Sequence, residues 1–153
     1  MPFQSLDLTL DPASDAAMRA GWTALIEAGI RSEGERVSDS HRPHLTALAA
    51  TKFLPELLQQ AGRDLGALLP LQLPVSGTVV FGAGPFVIAH LLTPSADLRE
   101  VVQHLRSSAG VSQPNWVPHL TLSRKVAVGQ IGEALEIAAR ERPTTFIIDA
   151  LRH

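Results

Sequence analysis

The sequence predicts an α+β domain built from two similar halves, and three observations lead to this prediction. The four-residue sequence Pro-His-Leu-Thr occurs twice, at residues 43–46 and at residues 118–121. The order strand, helix, motif-bearing strand, helix, strand can be traced over residues 3–82 and again over residues 85–151. A chain of 153 residues suits one domain, so we expect a single domain over residues 1–153.

In the first half, the hydrophobic pattern changes from strand to helix and then to loop. Residues 3–10 alternate between apolar and polar side chains, which predicts a strand. Asp11 and Pro12 are a typical N-cap and first residue of a helix, and the apolar spacing that follows is helical up to Gly29. Residues 31–40 are polar and predict a surface connection, which either is a plain loop or flanks a binding cleft.

The remaining elements of the first half surround the first motif. The motif begins a strand that ends near Ala49, because a proline is tolerated at a strand start and disfavours helix in the residue before it. A helix follows over residues 52–69 and is ended by Pro70 and Pro74. Residues 75–82 are rich in β-branched side chains and predict the last strand of this half.

The second half repeats this order. Its elements are a strand at residues 85–93 after a glycine-containing turn, a helix from the N-cap Ser95 to Gly110, a loop at residues 111–115, the second motif strand, a helix at residues 129–142 and a strand at residues 144–151.

Composition excludes several classes of function. The net charge of −2 and the pI of about 6.3 give no basic field, so long nucleic acid is not expected as an obligate partner. There is no cysteine, which excludes disulfides and thiolate metal sites. Residues 1–7 do not resemble a signal peptide, and no apolar run is long enough to cross a bilayer. We therefore expect a cytoplasmic monomer with no membrane partner.

Each motif places a histidine and a threonine on the same face of a strand. Side chains alternate along a strand, so His44 and Thr46 point to one face while Leu45 points to the other, towards a core. His119 and Thr121 are related in the same way. The duplicated halves are therefore expected to bring two imidazoles and two hydroxyls to one site.

These motifs resemble those of the 2H phosphoesterase superfamily, which includes the bacterial 2′-5′ RNA ligase-like proteins and the cyclic nucleotide phosphodiesterases of RNA processing. Residues 44–47 match its first His-x-Thr-x motif, and residues 119–122 match its second. The resemblance implies a bilobal, pseudo-two-fold fold in which two antiparallel sheets flank a central cleft and helices lie outside. It also implies that the histidine and threonine of each motif are catalytic.

The chemistry of phosphodiester cleavage suits this residue set. An imidazole titrates near pH ~6.5, so two of them can remove and deliver protons at neutral pH. Thr46 and Thr121 can donate hydrogen bonds to the non-bridging phosphoryl oxygens, and no metal or cofactor is required. By analogy with the family, His44 would be the general acid and His119 the general base. The near symmetry of the motifs leaves the reverse assignment open.

Four further residues are candidates for binding substrate. Arg124 stands where the second motif of the ligase-like branch often continues to an arginine, but strict alternation turns it away from His119 unless the strand has a bulge. Arg42 is a second candidate for contacting phosphate. Trp116 either stacks on a base or packs beside the cleft, and His90 either lines the cleft or is a buried structural histidine.

The sequence therefore predicts a metal-independent phosphodiester hydrolase acting on 2′,3′-cyclic phosphates or related cyclic or 2′-5′ nucleotides, with 2′-5′ RNA ligation as an open second direction. Its expected partner is a small nucleotide or an RNA end carrying a cyclic phosphate. One alternative is a nucleotide- or RNA-end-binding module of the same fold with little turnover. Another is a metallohydrolase in which His41 and His44 form a metal pair, although no third ligand is evident.

Overall fold

The computed structural model describes residues 3–111 and 115–153, and over these residues it confirms the α+β class. The strands are β1 (Gln4–Leu10), β2 (His44–Ala50), β3 (Leu71–Phe81), β4 (Phe86–Leu92), β5 (His119–Val126) and β6 (Thr145–Arg152). The helices are α1 (Pro12–Glu27), α2 (Pro55–Gly66), α3 (Ala96–Ser108) and α4 (Ile131–Glu141), with 3₁₀ turns at Glu33–Glu35 and Val128–Gln130. Of the loop expected at 111–115, residues 112–114 lie outside the described residues.

The strands pair in the order β2-β1-β6-β3-β4-β5, and all neighbours are antiparallel. β3 belongs to two sheets, because residues 71–74 pair with β6 and residues 75–81 pair with β4. The antiparallel pairing agrees with the expectation, and β3 joins the two expected sheets into one six-stranded sheet. If the halves are exchanged, that is β1 with β4, β2 with β5 and β3 with β6, the same strand order results, read from the opposite edge. Internal duplication itself stays a prediction.

β3 begins earlier than the sequence pattern suggested. Pro74 was expected to separate a helix from a strand at residues 75–82, yet it lies inside the strand. A proline cannot donate to a sheet, but Pro74 is where β3 changes its partner, and its carbonyl oxygen accepts from the amide of Thr93 at 2.9 Å. The missing N–H is therefore tolerated.

Capping residues account for the helix boundaries. The Asp11 side chain accepts a hydrogen bond from the amide of Ser14 at 2.8 Å, as expected of the N-cap of α1. α2 begins at Pro55 rather than at Lys52, because the fixed φ of proline suits the first helical turn. α4 begins after the 3₁₀ turn at Val128–Gln130, two residues later than predicted from Gly129.

The helices cover the apolar face of the sheets. α1 packs against α4, and α2 packs against α3, which again respects the exchange of halves. The leucines that follow the motif histidines, Leu45 and Leu120, are both fully buried on this side. The opposite face carries the motif histidines and threonines. In the described part of the chain, every helix is too short or too polar to cross a bilayer.

Candidate active site

The two motif strands begin at the motif histidines and lie next to each other. His44 is the first residue of β2, and His119 is the first residue of β5. β2 and β5 are the first and last strands of the strand order, yet they contact each other. The sheets therefore curve so that both motifs come to one region of the molecule.

The backbone fixes the tautomer of both imidazoles in the same way. Nδ1 of His44 lies 2.8 Å from the carbonyl oxygen of Arg42, and Nδ1 of His119 lies 2.7 Å from that of Val117. A carbonyl oxygen only accepts hydrogen bonds, so Nδ1 carries the proton in each neutral ring. Nε2 is consequently the atom that each histidine offers for proton transfer.

A β-bulge follows the threonine of the first motif. The adjacent residues Leu6 and Asp7 of β1 face Leu48 and Thr46 of β2, which leaves Ala47 as the extra residue. Ala47 and Leu48 are consecutive and both buried, whereas Thr46 is partly exposed. The alternation of faces is therefore reset immediately after the motif.

The second motif is followed by a bulge at the same place. Ile88 and Ala89 of β4 face Ser123 and Thr121 of β5, which leaves Leu122 as the extra residue. Leu122 and Ser123 are fully buried, and the Ser123 hydroxyl donates a hydrogen bond to the carbonyl oxygen of a residue in the loop after α1. Two bulges in equivalent positions are a further correspondence between the halves.

Arg124 was expected to share a face with His119 only if a bulge interrupts the strand between them. The second bulge is such an interruption. After the bulge, Arg124 is exposed rather than buried, although strict alternation from His119 would turn it to the buried face. Its guanidinium donates to the carboxylate of Glu33, which is only 5% exposed. The loop before the first motif thus orients Arg124, which the sequence did not reveal.

Thr46 is hydrogen-bonded to a buried carboxylate that the sequence reasoning missed. Its hydroxyl donates to Oδ1 of Asp7 at 3.0 Å. Oδ2 of Asp7 accepts from the Ser5 hydroxyl at 3.1 Å and from the Arg152 guanidinium at 3.2 Å. Asp7 is 5% exposed. The only signal in the sequence is that Asp7 falls on the polar side of the alternating first strand.

Thr121 has no such partner. The residue paired with it on β4 is Ala89, which occupies the position equivalent to Asp7 on β1. Among the residues that the structure describes, none forms a hydrogen bond with the Thr121 hydroxyl. Thr121 is partly exposed, so this hydroxyl can donate to a bound ligand.

A tryptophan from elsewhere in the chain is bonded to each motif strand. The indole N–H of Trp116 donates to the carbonyl oxygen of Thr46 at 3.0 Å, and that of Trp22 donates to the carbonyl oxygen of Thr121 at 3.0 Å. Trp116 is 6% exposed, so it offers little ring surface for stacking on a base. The structure therefore corresponds to the packing alternative for this residue.

One cavity joins residues from both motifs. Its volume is about 280 Å³, and Thr46 from the first motif and His119 from the second both line it. Ala49, Arg106, Trp116 and Val117 are among its other walls. On the motif face, the ring of Phe81 lies 4.9 Å from that of His119, a neighbour that the sequence reasoning also missed.

His90 and Arg42 both have contacts within the protein. His90 is 2% exposed and pairs with buried Leu120, on the side away from the motif histidines. Burial, and next the charge of Arg142, lower the pKa of His90 from 6.5 to about 4, which favours a neutral structural histidine. Arg42 directs its guanidinium towards Asp15 of α1, with 3.6 Å between the nearest atoms.

The ring of His41 is engaged by residues outside the motif. Its Nε2 lies 2.7 Å from the carbonyl oxygen of Glu33, and its ring stacks on Trp22 with 5.2 Å between centroids. Over residues 3–111 and 115–153, no group of three or more histidine or carboxylate side chains is arranged to hold a metal ion.

Comparison with known proteins adds a family and a fold. A family model described as the 2′-5′ RNA ligase superfamily matches residues 12–152. The search of curated proteins found no match. Among solved structures, Usb1 of Kluyveromyces marxianus is similar, with a TM-score of 0.54 and 13% sequence identity over 97% of this chain and 92% of that chain. At this identity, the similarity concerns the fold.

Proposed function

The chain belongs to the 2′-5′ RNA ligase superfamily, and from this premise we propose that it is a metal-independent phosphoesterase. Its substrate is a nucleotide or RNA end with a 2′,3′-cyclic phosphate or a related cyclic or 2′-5′ phosphodiester, which it cleaves as a monomer. The catalytic residues are His44 and His119, with the hydroxyls of Thr46 and Thr121 beside them.

One observation carries this proposal. Both imidazoles donate Nδ1–H to the backbone carbonyl oxygen two residues earlier, and both stand at the start of strands that contact each other. Each Nε2 is thereby available to accept a proton in the neutral ring or to deliver one from the imidazolium. Hydrolysis needs one group that accepts a proton and a second group that delivers one. Each proton transfer contributes about 10²- to 10⁴-fold in rate.

Hydrolysis of a cyclic phosphate then proceeds without an external cofactor. One Nε2 takes a proton from water while the water oxygen bonds to phosphorus. The bond from phosphorus to one ribose oxygen breaks, and the second Nε2 delivers its proton to that oxygen. The product is a phosphomonoester beside a ribose hydroxyl, and proton exchange with solvent returns both rings to their starting states.

The direct test is turnover of 2′,3′-cyclic nucleotides and 2′-5′ dinucleotides in the presence of EDTA. We expect cleavage that chelation leaves unchanged, with kcat/KM bell-shaped in pH because one histidine must be neutral and the other protonated. The limbs belong to the coupled pair rather than to single residues. Tight nucleotide binding without turnover would instead indicate the binding module, and inactivation by EDTA would indicate a metallohydrolase.

A further inference from the structure

We propose that Asp7 makes the two motifs chemically unequal and so assigns the two histidines. In this assignment, which rests on the proposed function, His44 is the base that activates water and Thr46 accepts the second hydrogen of that water. His119 is the acid, and Thr121 donates to a phosphoryl oxygen. This is the reverse of the order expected by analogy.

The position of Asp7 is fixed from several directions. It pairs directly with Thr46 across the β1–β2 ladder, so the two side chains share a face. The hydroxyl of Ser5 and the guanidinium of Arg152 both hold Oδ2. Oδ1 is therefore directed at Thr46, 3.0 Å away.

This contact decides what Thr46 can offer a ligand. A threonine hydroxyl has a single proton, and here that proton goes to Asp7, because a carboxylate only accepts. The Thr46 oxygen retains lone pairs, so towards the site it is an acceptor. Neutral His44, with Nδ1 protonated, also presents an acceptor at Nε2. Two acceptors two residues apart on one strand suit the two hydrogens of one water molecule.

The second motif has the opposite character. Ala89 replaces the carboxylate, so the proton of the Thr121 hydroxyl is available to an anionic phosphoryl oxygen. Protonated His119 is a donor at Nε2, and Arg124, whose guanidinium also donates to Glu33, lies on the same strand face after the bulge. A cluster of donors suits the phosphoryl group and the leaving oxygen, which must receive a proton as its bond to phosphorus breaks.

A change of leaving group tests the assignment of the histidines. A nucleoside nitrophenyl phosphodiester releases nitrophenolate, which leaves without being protonated, so loss of the acid should be tolerated and loss of the base should not. For each substrate, the activity of a variant is expressed as a fraction of the wild-type activity. We expect this fraction for His119→Ala to be at least tenfold higher on the nitrophenyl substrate than on a natural diester. His44→Ala should recover no activity.

The outcomes separate this inference from the proposed function. Recovery by His44→Ala, or equal recovery by both variants, would overturn the assignment while leaving a two-histidine phosphoesterase intact. Absence of turnover by the wild-type protein on every diester would refute the proposed function itself. Thermal melting of both variants shows whether each is folded before its rate is compared.

Competition between water and methanol tests the role of Asp7 as a positioning residue. Methanol has one O–H, so it can bond to His44 or to Thr46 but not to both. The wild-type enzyme should therefore favour water. Asp7→Ala and Thr46→Val should each raise the fraction of methyl ester product severalfold, and the double variant should raise it no further.

His104→Ala, at an exposed position of α3, is the control for this measurement, since it leaves Ser5, Asp7 and Thr46 in place. We expect its product ratio to remain that of the wild type. A general loss of packing would lower the rate but would not alter the partition between two nucleophiles. An unchanged ratio in Asp7→Ala would show that Thr46 does not hold the nucleophile and would overturn the proposal.

Discussion

The two halves of the molecule share a backbone plan and differ in the side chains placed on it. In both, a strand begins at the motif histidine, Nδ1 bonds to the carbonyl oxygen two residues earlier, and a bulge follows the motif threonine. Yet Thr46 pairs with the carboxylate Asp7, whereas Thr121 pairs with Ala89. Pseudo-symmetry of the strands therefore does not imply equal chemistry.

Other equivalent positions differ as well. After the bulge, the first half has Ala49 and the second has Arg124. The residue paired with the motif leucine is Leu8 in the first half and His90 in the second. The shared backbone therefore fixes the position of each proton-transfer group, whereas side chains of the neighbouring strand determine its chemical surroundings.

The largest expected effect comes from removing either motif histidine, which is the feature that both halves share. His44→Ala and His119→Ala should each lower kcat on a natural diester by about 10²- to 10⁴-fold, because each removes one proton transfer. His104→Ala, on the exposed face of α3, is the matched control and should retain full activity. Wild-type turnover in either motif variant would remove that histidine from the mechanism.

The threonines should respond unequally. Thr121→Val should lower kcat by about 10²- to 10³-fold, as loss of an oxyanion donor does, with little change in stability. Thr46→Val should also destabilise the fold by about 1–3 kcal/mol, since buried Asp7 loses a donor. Urea unfolding and steady-state kinetics on both variants measure the two effects. Equal losses of stability would contradict the difference between the halves.

His90, which stands where the first half has Leu8, makes the stability of the protein depend on pH. Because its pKa is lowered from 6.5 to about 4 by burial and then by Arg142, the unfolded chain binds the proton first as the pH falls. Its contribution is complete above pH ~6.5 and is lost as the pH falls towards ~4, by about 3 kcal/mol in total.

Replacing His90 by the residue of the other half isolates this effect. In His90→Leu, which copies Leu8, the loss of urea stability between pH 7 and pH 4.5 should be smaller than in the wild type. His104→Leu, at an exposed position of α3, is the control for the same exchange of side chains. Parallel curves for the wild type and His90→Leu would show that His90 is not kept neutral.

The smallest effect is expected at Arg124. Its side chain is 56% exposed, so Arg124→Ala should weaken substrate binding only modestly, and high salt should reduce the difference from wild type. Ala49→Arg, the reciprocal exchange, should not compensate, because Glu33 lies against β5, where its carboxylate orients the guanidinium of Arg124. A salt-independent loss of kcat would instead place Arg124 in contact with the reacting atoms.

Local patterns were sufficient to predict the strands, the helices and the motif faces. What they could not predict depends on contacts between distant residues. Asp7 lies 39 residues from Thr46, and Glu33 lies 91 residues from Arg124, so neither pair has a signature in the sequence. Arg124 raised the possibility of a bulge in the second motif strand, but neither bulge could be located, because Ala47 and Leu122 fit a regular alternation of faces. The prediction that Pro74 precedes the strand was wrong for the same reason. Pro74 is tolerated inside β3 only because β3 changes its strand partner there.

The two tryptophans give the molecule a built-in optical reporter. The chain has no tyrosine, so Trp22 and Trp116 dominate its ultraviolet emission. Each indole N–H is bonded to the carbonyl oxygen of a motif threonine, on β5 for one and on β2 for the other. Any ligand that shifts these strands relative to each other must alter one of these bonds, and with it the wavelength or yield of fluorescence. Opening or closing of the site can therefore be followed in the unlabelled protein.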